Sequence, residues 1–333
     1  MTAPASGTAS GPVEVVTFGE TMAALRSTGP LRLGGNLGLS IAGAESNVAI
    51  GLARLGHSAS WVGRVGDDEL GALVLRTLRA ENVDIAHAVI DNSRPTGLIL
   101  FERRLGDITR VQYYRTGSAG GGLDAADLIP ALSPEQRGTV AGDGGVLHIT
   151  GITPALSPAA AEATRRGAER ARDTARLVSL DVNYRARLWS AADARAALRP
   201  LARLAGVVFA SESELALLAA ESSAGAAATA DELLSRGVQA VVVKRGATGV
   251  TAYTADGVTS VPAWAVRTVD VIGAGDAFVS GYLSGLLDGL NTAGRLRRGT
   301  AVSAFAVGNT GDWEGLPTRS ELDLLDAGEE AVR

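Results

Sequence analysis

With 333 residues, 46% hydrophobic and 20% charged, the chain carries enough apolar material for one large α/β domain with a small appendage, and disorder over most of its length is excluded. A formal charge of −5 without clustered Lys/Arg excludes a nucleic-acid footprint, and zero Cys excludes disulfides, thiolate catalysis and Cys-based zinc sites. His57, His87 and His148 never stand at metal-ligand spacing, and no run of 18 apolar residues is present, so neither a zinc hydrolase nor a membrane partner is expected. The start, MTAPASGTASGP, has no basic segment followed by an apolar one. Residues 1–12 therefore read as a loose tail before a domain over 13–333, and a cytoplasmic location is expected.

In chain order, residues 13–18 read as a strand, and 45–55 as a helix with Val48, Leu52 and Leu55 at i, i+4 and i+7. Residues 58–66 read as one strand and 67–82 as a helix opening on acidic residues, which its dipole favours. Short apolar strands at 145–152, 176–183, 206–211 and 239–246 alternate with Ala/Leu/Arg-rich helices. That alternation predicts an α/β, doubly wound, mostly parallel sheet with helices on both faces. Two stretches break the rhythm, 31–41 and 96–115, the latter with a hairpin turn at Leu105-Gly106-Asp107; they predict a small β-sheet lid. A strand-like 266–272 precedes two final helices, from Asp276 to Leu290 and from Leu296 to Thr310.

The chemistry concentrates at Gly273-Ala274-Gly275-Asp276. Small residues let the backbone approach a ligand, and the apolar run from Ala277 starts a helix at once, so free N–H groups and the positive dipole end surround an anion. A carboxylate there suits removal of a proton from a hydroxyl attacking a phosphoryl group; the alternative from spacing alone is a helix cap. Lys244 is the sole lysine and Val243 rather than Gly precedes it, which excludes a P-loop. A dinucleotide fold is disfavoured because the segment lacks the third glycine of GxGxxG and lies near the C-terminus.

Taken with Ala42-Gly43-Ala44-Glu45-Ser46-Asn47 and Gly63-Arg64-Val65-Gly66-Asp67, the Gly-Ala-Gly-Asp segment resembles the paired signatures of the ribokinase-like (PfkB) carbohydrate kinases, and the likeness runs from about Val15 to Thr318. The resemblance implies that Asp276 is the catalytic base and that Gly273, Ala274 and Gly275 form the anion hole. It places Gly35, Gly43 and Asn47 at the sugar, and Lys244, Gly246, Gly249, Gly275 and Asn309 at ATP, with a helix C-cap the alternative for Asn309. Glu214 matches an acidic residue that organises magnesium through water, with Ser211 where Asn is usual. Magnesium with ATP as co-substrate, a monovalent cation as a further candidate, and a homo-oligomer formed through the lid are implied in the same way. Tyr113-Tyr114-Arg115 and Asp181-Val182-Asn183-Tyr184-Arg185 are similar to motifs of the branch that phosphorylates the terminal hydroxyl of 2-keto-3-deoxygluconate. That likeness gives Tyr113, Arg115, Asn183 and Arg185 to the substrate, arginine being suited to grip a carboxylate bidentately. Fructokinases carry similar elements, so a neutral sugar is the alternative substrate.

Overall fold

A computed structural model describes residues 13–105, 108–133, 145–220 and 225–325. In chain order the first elements are β1 (Val15–Phe18), β2 (Met22–Ser27), β3 (Leu37–Ala42), α1 (Ala44–Arg54), β4 (Ala59–Val62), β5 (Arg64–Gly66) and α2 (Glu69–Ala80). β6 (Val89–Asp91), β7 (Leu98–Leu105), β8 (Ile108–Tyr114), α3 (Ala125–Leu128), β9 (Val146–Thr150), α4 (Pro158–Asp173), β10 (Leu177–Asp181) and α5 (Ala191–Ala202) follow. The chain continues through β11 (Val207–Ser211), α6 (Glu212–Leu215), α7 (Gly225–Ser235), β12 (Ala240–Lys244), β13 (Val250–Thr254), β14 (Gly257–Val261), α8 (Ala274–Leu287) and α9 (Thr292–Val307).

Eight strands form the main sheet in the order β14-β13-β12-β11-β10-β9-β1-β4, parallel from β12 to β4 and antiparallel at β13 and β14. Side chains alternate across each strand, so one strand supplies two cores. Val16, Phe18, Val178, Leu180, Val208, Val241 and Val243 pack against the alanine and leucine faces of α4, α5 and α7. Their neighbours Val15, Val207, Phe209, Ala240 and Val242 pack against α1, α2, α8 and α9. Burial on both faces is why these strands read as continuous apolar runs.

The lid is a four-stranded sheet, β3-β2-β7-β8, closed around Met22, Ala24, Ala42, Ile99 and Phe101. It differs from the sequence expectation in two respects. Residues 31–33 form a 3-10 turn, with Gly34 and Gly35 beyond it in left-handed conformations, so the strand starts only at Leu37. The lid also includes β2 as one of its two inner strands, paired antiparallel with β3 and parallel with β7. Gly106 and Asp107 of the expected hairpin turn, and residues 1–12, lie outside the described residues. The single strand expected over 58–66 is two, broken at Gly63; a Cβ there would lie 2.0 Å from the Trp61 ring and 2.6 Å from the Gly19 carbonyl oxygen. Residues 266–272 are not a strand: the Val269 amide donates to the Val307 carbonyl at the end of α9, and Asp270 caps the Ile272 amide.

Candidate active site

The site lies at the carboxyl ends of the parallel strands, beside the point where β1 separates β9 from β4, the usual ligand position in an open α/β sheet. Two cavities of 390 and 570 Å³ meet there, with Lys244, Val271 and Gly275 lining both. Gly273 is the N-cap of α8, at φ 76°, and the Asp312 carbonyl oxygen would lie 2.1 Å from any Cβ it carried. A left-handed residue pressed this closely on backbone must be glycine. Gly273 and Gly275 line the first cavity and Ala274 and Gly275 the second, so the start of α8 borders both, and Asp276 stands in the first turn of the helix without capping it. Its Oδ2 instead accepts a hydrogen bond from Asn47 Nδ2 of α1 at 2.8 Å.

Burial, with the nearby Asp181 carboxylate, pushes the Asp276 carboxyl up to about 6, against the Asn47 hydrogen bond and the Arg185 and Lys244 charges. A carboxylate poised there is a competent general base near neutral pH. Lys244, at the end of β12, donates to Asp181 Oδ2 at 2.7 Å. Burial pulls its ammonium down, but Asp181 and Glu214 outweigh this and the net shift is upward, so the lysine is held charged.

The first cavity brings together Gly43, Asn47, Tyr113, Arg115, Asn183, Arg185 and Glu214 with Lys244, Gly273, Gly275 and Asp276. Asn183, buried at φ 39°, turns the chain out of β10 so that Arg185 is exposed beside the opening. Arg115 is drawn inward, where it pairs with the buried carboxylate of Glu20, which also accepts from Ser118 Oγ. Gly97 and Gly120 leave room for no side chain against that carboxylate. Glu214 accepts from the amides of Ser211 and Tyr184, at 2.7 and 3.0 Å, joining the start of α6 to the loop that carries Asn183 and Arg185.

The second cavity is mostly apolar, built on Val250, Trp264, Val266, Phe278 and Ala304, with Gly246, Gly249 and Ala274 in its lining. Three sequence candidates line neither cavity. Gly35 is exposed in the lid, Ser211 caps α6, and Asn309 Nδ2 donates to the Phe305 carbonyl at 2.9 Å.

Four carboxylates that line the first cavity were not among the sequence candidates: Glu20, described above, and Glu45, Asp181 and Asp312. Glu45, inside the Gly-Ala-Glu-Ser-Asn segment, is buried among Thr150, Thr153 and Gly19, and burial pushes it up to about 7. Asp181 lies in the quoted Asp-x-Asn-x-Arg motif, where its role as partner of Lys244 has no local signal. Asp312 is raised to about 7 by burial, with Arg26 opposing, and reaches the site only through tertiary contact.

A family model described as pfkB family carbohydrate kinase matches residues 13–319. The chain is 37% identical to a 2-dehydro-3-deoxygluconokinase of Bacillus subtilis over 93% of its own length and 94% of that protein's. It superposes on a PfkB protein from Polaromonas with a TM-score of 0.82 at 36% identity, covering 93% and 99% of the two chains. The corresponding values for a fructokinase with bound ATP from Xylella fastidiosa are 0.82 and 25%, over 94% and 98%.

Proposed function

The chain belongs to the pfkB family of carbohydrate kinases, and from that premise we propose that it transfers the γ-phosphoryl group of ATP to the terminal hydroxyl of 2-keto-3-deoxygluconate, giving the 6-phosphate and ADP. The observation that carries the reading is Asp276 in the lining of the first cavity, held by Asn47 and next in the chain to Gly275, which lines both cavities. The hydroxyl oxygen forms a bond to the γ-phosphorus as the bond to the β-phosphate oxygen breaks, and the hydroxyl proton passes to Asp276. The amides of Gly273, Ala274 and Gly275, with Lys244, face the charge that spreads over the transferring phosphoryl oxygens. The apolar second cavity suits a purine base, with Gly246 and Gly249 at the phosphate side.

Magnesium arrives with ATP and neutralises phosphate charge when bound. Glu214, whose carboxylate faces the first cavity, fits an outer position reached through water, since its two oxygens already accept from amides.

For the sugar, Gly43, Asn47, Tyr113, Asn183, Arg115 and Arg185 surround the first cavity, and two guanidiniums suit a substrate bearing a carboxylate. One observation favours a neutral sugar instead: Arg115 is already paired with Glu20, which leaves less positive charge for an anionic substrate. A panel of 2-keto-3-deoxygluconate, its C4 epimer, fructose and ribose, followed by coupled ADP detection, decides between them. Equal or better use of fructose would replace the keto-acid reading by a fructokinase reading.

The same proposal includes assembly through the lid, where Leu33, Leu37, Leu39 and Tyr114 stand exposed; sedimentation as a monomer would remove it. It also includes action in the cytoplasm, where ATP is supplied. Exchange of potassium for a bulky ammonium ion in the assay tests a monovalent cation requirement.

A further inference from the structure

A largely buried guanidinium outside the proton-transfer machinery joins the lid to the anion-hole turn. Arg26 belongs to β2, one of the two inner strands of the lid. Its Nη1 lies 3.4 Å from Asp270 Oδ2 and its Nη2 pairs with Asp312 Oδ1. The guanidinium carbon sits 3.9 Å from the ring centroid of Phe101 on β7, so the charge is stacked as well as paired. Side-chain exposures of 17%, 13% and 8% for Arg26, Asp270 and Asp312 set this apart from a surface ion pair.

Both carboxylate residues grip the turn that carries the phosphoryl chemistry. Asp270 accepts from the Ile272 amide at 3.1 Å and from the Gly311 amide at 3.5 Å. The Asp312 carbonyl is the group that presses on Gly273. Asp270 and Asp312 therefore bracket the N-cap of α8 from its two sides. Two carboxylates beside a site for triphosphate repel each other and the ligand unless a cation holds them together. A flat guanidinium with several N–H groups can bridge both; a point-charge ammonium is a poorer bridge.

We infer that Arg26 is a positioning residue for phosphoryl transfer: by bridging Asp270 and Asp312 it fixes the Gly273–Gly275 turn and couples the lid sheet to it. This rests on the kinase chemistry proposed above and not on which sugar is used.

The test compares wild type, Arg26→Met, Arg26→Lys and Arg26→Met/Asp312→Asn, using whichever sugar the substrate panel shows is used best. A positioning role predicts a folded Arg26→Met variant with kcat lowered about 10- to 100-fold, the loss expected when reacting groups shift by about 1 Å. Its KM for the sugar should stay within about threefold of wild type. Arg26→Lys should fall in between, and replacing the carboxyl left without its partner in the double variant should recover several-fold of the Arg26→Met loss. The inference is overturned if kcat of Arg26→Met stays within twofold of wild type, if only the sugar KM changes, or if the two substitutions multiply independently. Should Arg26→Met fail to fold, a folded Arg26→Lys with unchanged kcat overturns it equally. A wild type inactive on every sugar would instead remove the kinase reading, so the two failures are distinguishable.

Discussion

Replacing Asp276 by Asn should stabilise the protein while removing its activity. Folding raises this carboxyl from 3.8 to about 6, chiefly through burial and then through Asp181, with Asn47, Arg185 and Lys244 opposing. A carboxyl whose pKa rises on folding helps stability below its unfolded value and loses that help as the pH climbs through the folded one. Above pH 6 the ionised group therefore costs the fold about 3 kcal/mol, from about 2 units at 1.36 kcal/mol each. The uncharged amide avoids that cost, and its oxygen can still accept from Asn47. The midpoint of thermal unfolding at pH 7.5 should rise by several degrees. In the coupled ADP assay kcat should fall at least about 10²-fold, since a positioned general base is worth about 10²–10⁴. In the wild type, kcat/KM should fall about tenfold between pH 7 and pH 5 as the base is protonated. A variant keeping more than half the wild-type rate refutes the base assignment, and a lowered melting temperature refutes the burial argument.

Other substitutions probe the remaining parts of the site. Lys244→Ala removes the cation that holds Asp181 at 2.7 Å, and steady-state kinetics should show the KM for ATP raised more than that for the sugar; selective loss of sugar affinity would move Lys244 to the other half of the site. Arg115→Met and Arg185→Met should each erode the preference for the keto acid over fructose. A hydrogen bond to a charged group contributes about 1.5–3 kcal/mol, or about 10- to 150-fold in kcat/KM. Unchanged ratios in both variants would exclude carboxylate recognition by these arginines. Gly273→Ala sets a Cβ 2.1 Å from the Asp312 carbonyl oxygen at a left-handed φ, so kcat should drop at least about tenfold through distortion of the anion hole; a variant within twofold of wild type would show that the turn has slack.

By itself the sequence determined the layered core and the identity of the chemistry. Val178, Leu180, Val208, Val241 and Val243 announce buried strands because burial on both faces suppresses any polar alternation. Gly273-Ala274-Gly275-Asp276 is legible because a close backbone approach, a helix start and a carboxylate leave a local residue signature. Tertiary structure alone decided what depends on groups distant along the chain. The lid strand β2 has little alternation of its own and is fixed by pairing with β3 on one side and β7 on the other. Residues 266–272 have the composition of a strand, yet they join none of the sheets among the described residues, and the Val269 amide donates to the Val307 carbonyl at the end of α9. Glu20 with Arg115, Asp181 with Lys244, and Arg26 with Asp270 and Asp312 are charged pairs joined across the fold. Periodicity reports which face of an element is buried, whereas the partner of a buried charge is chosen by how packed elements meet, and no local pattern encodes that meeting.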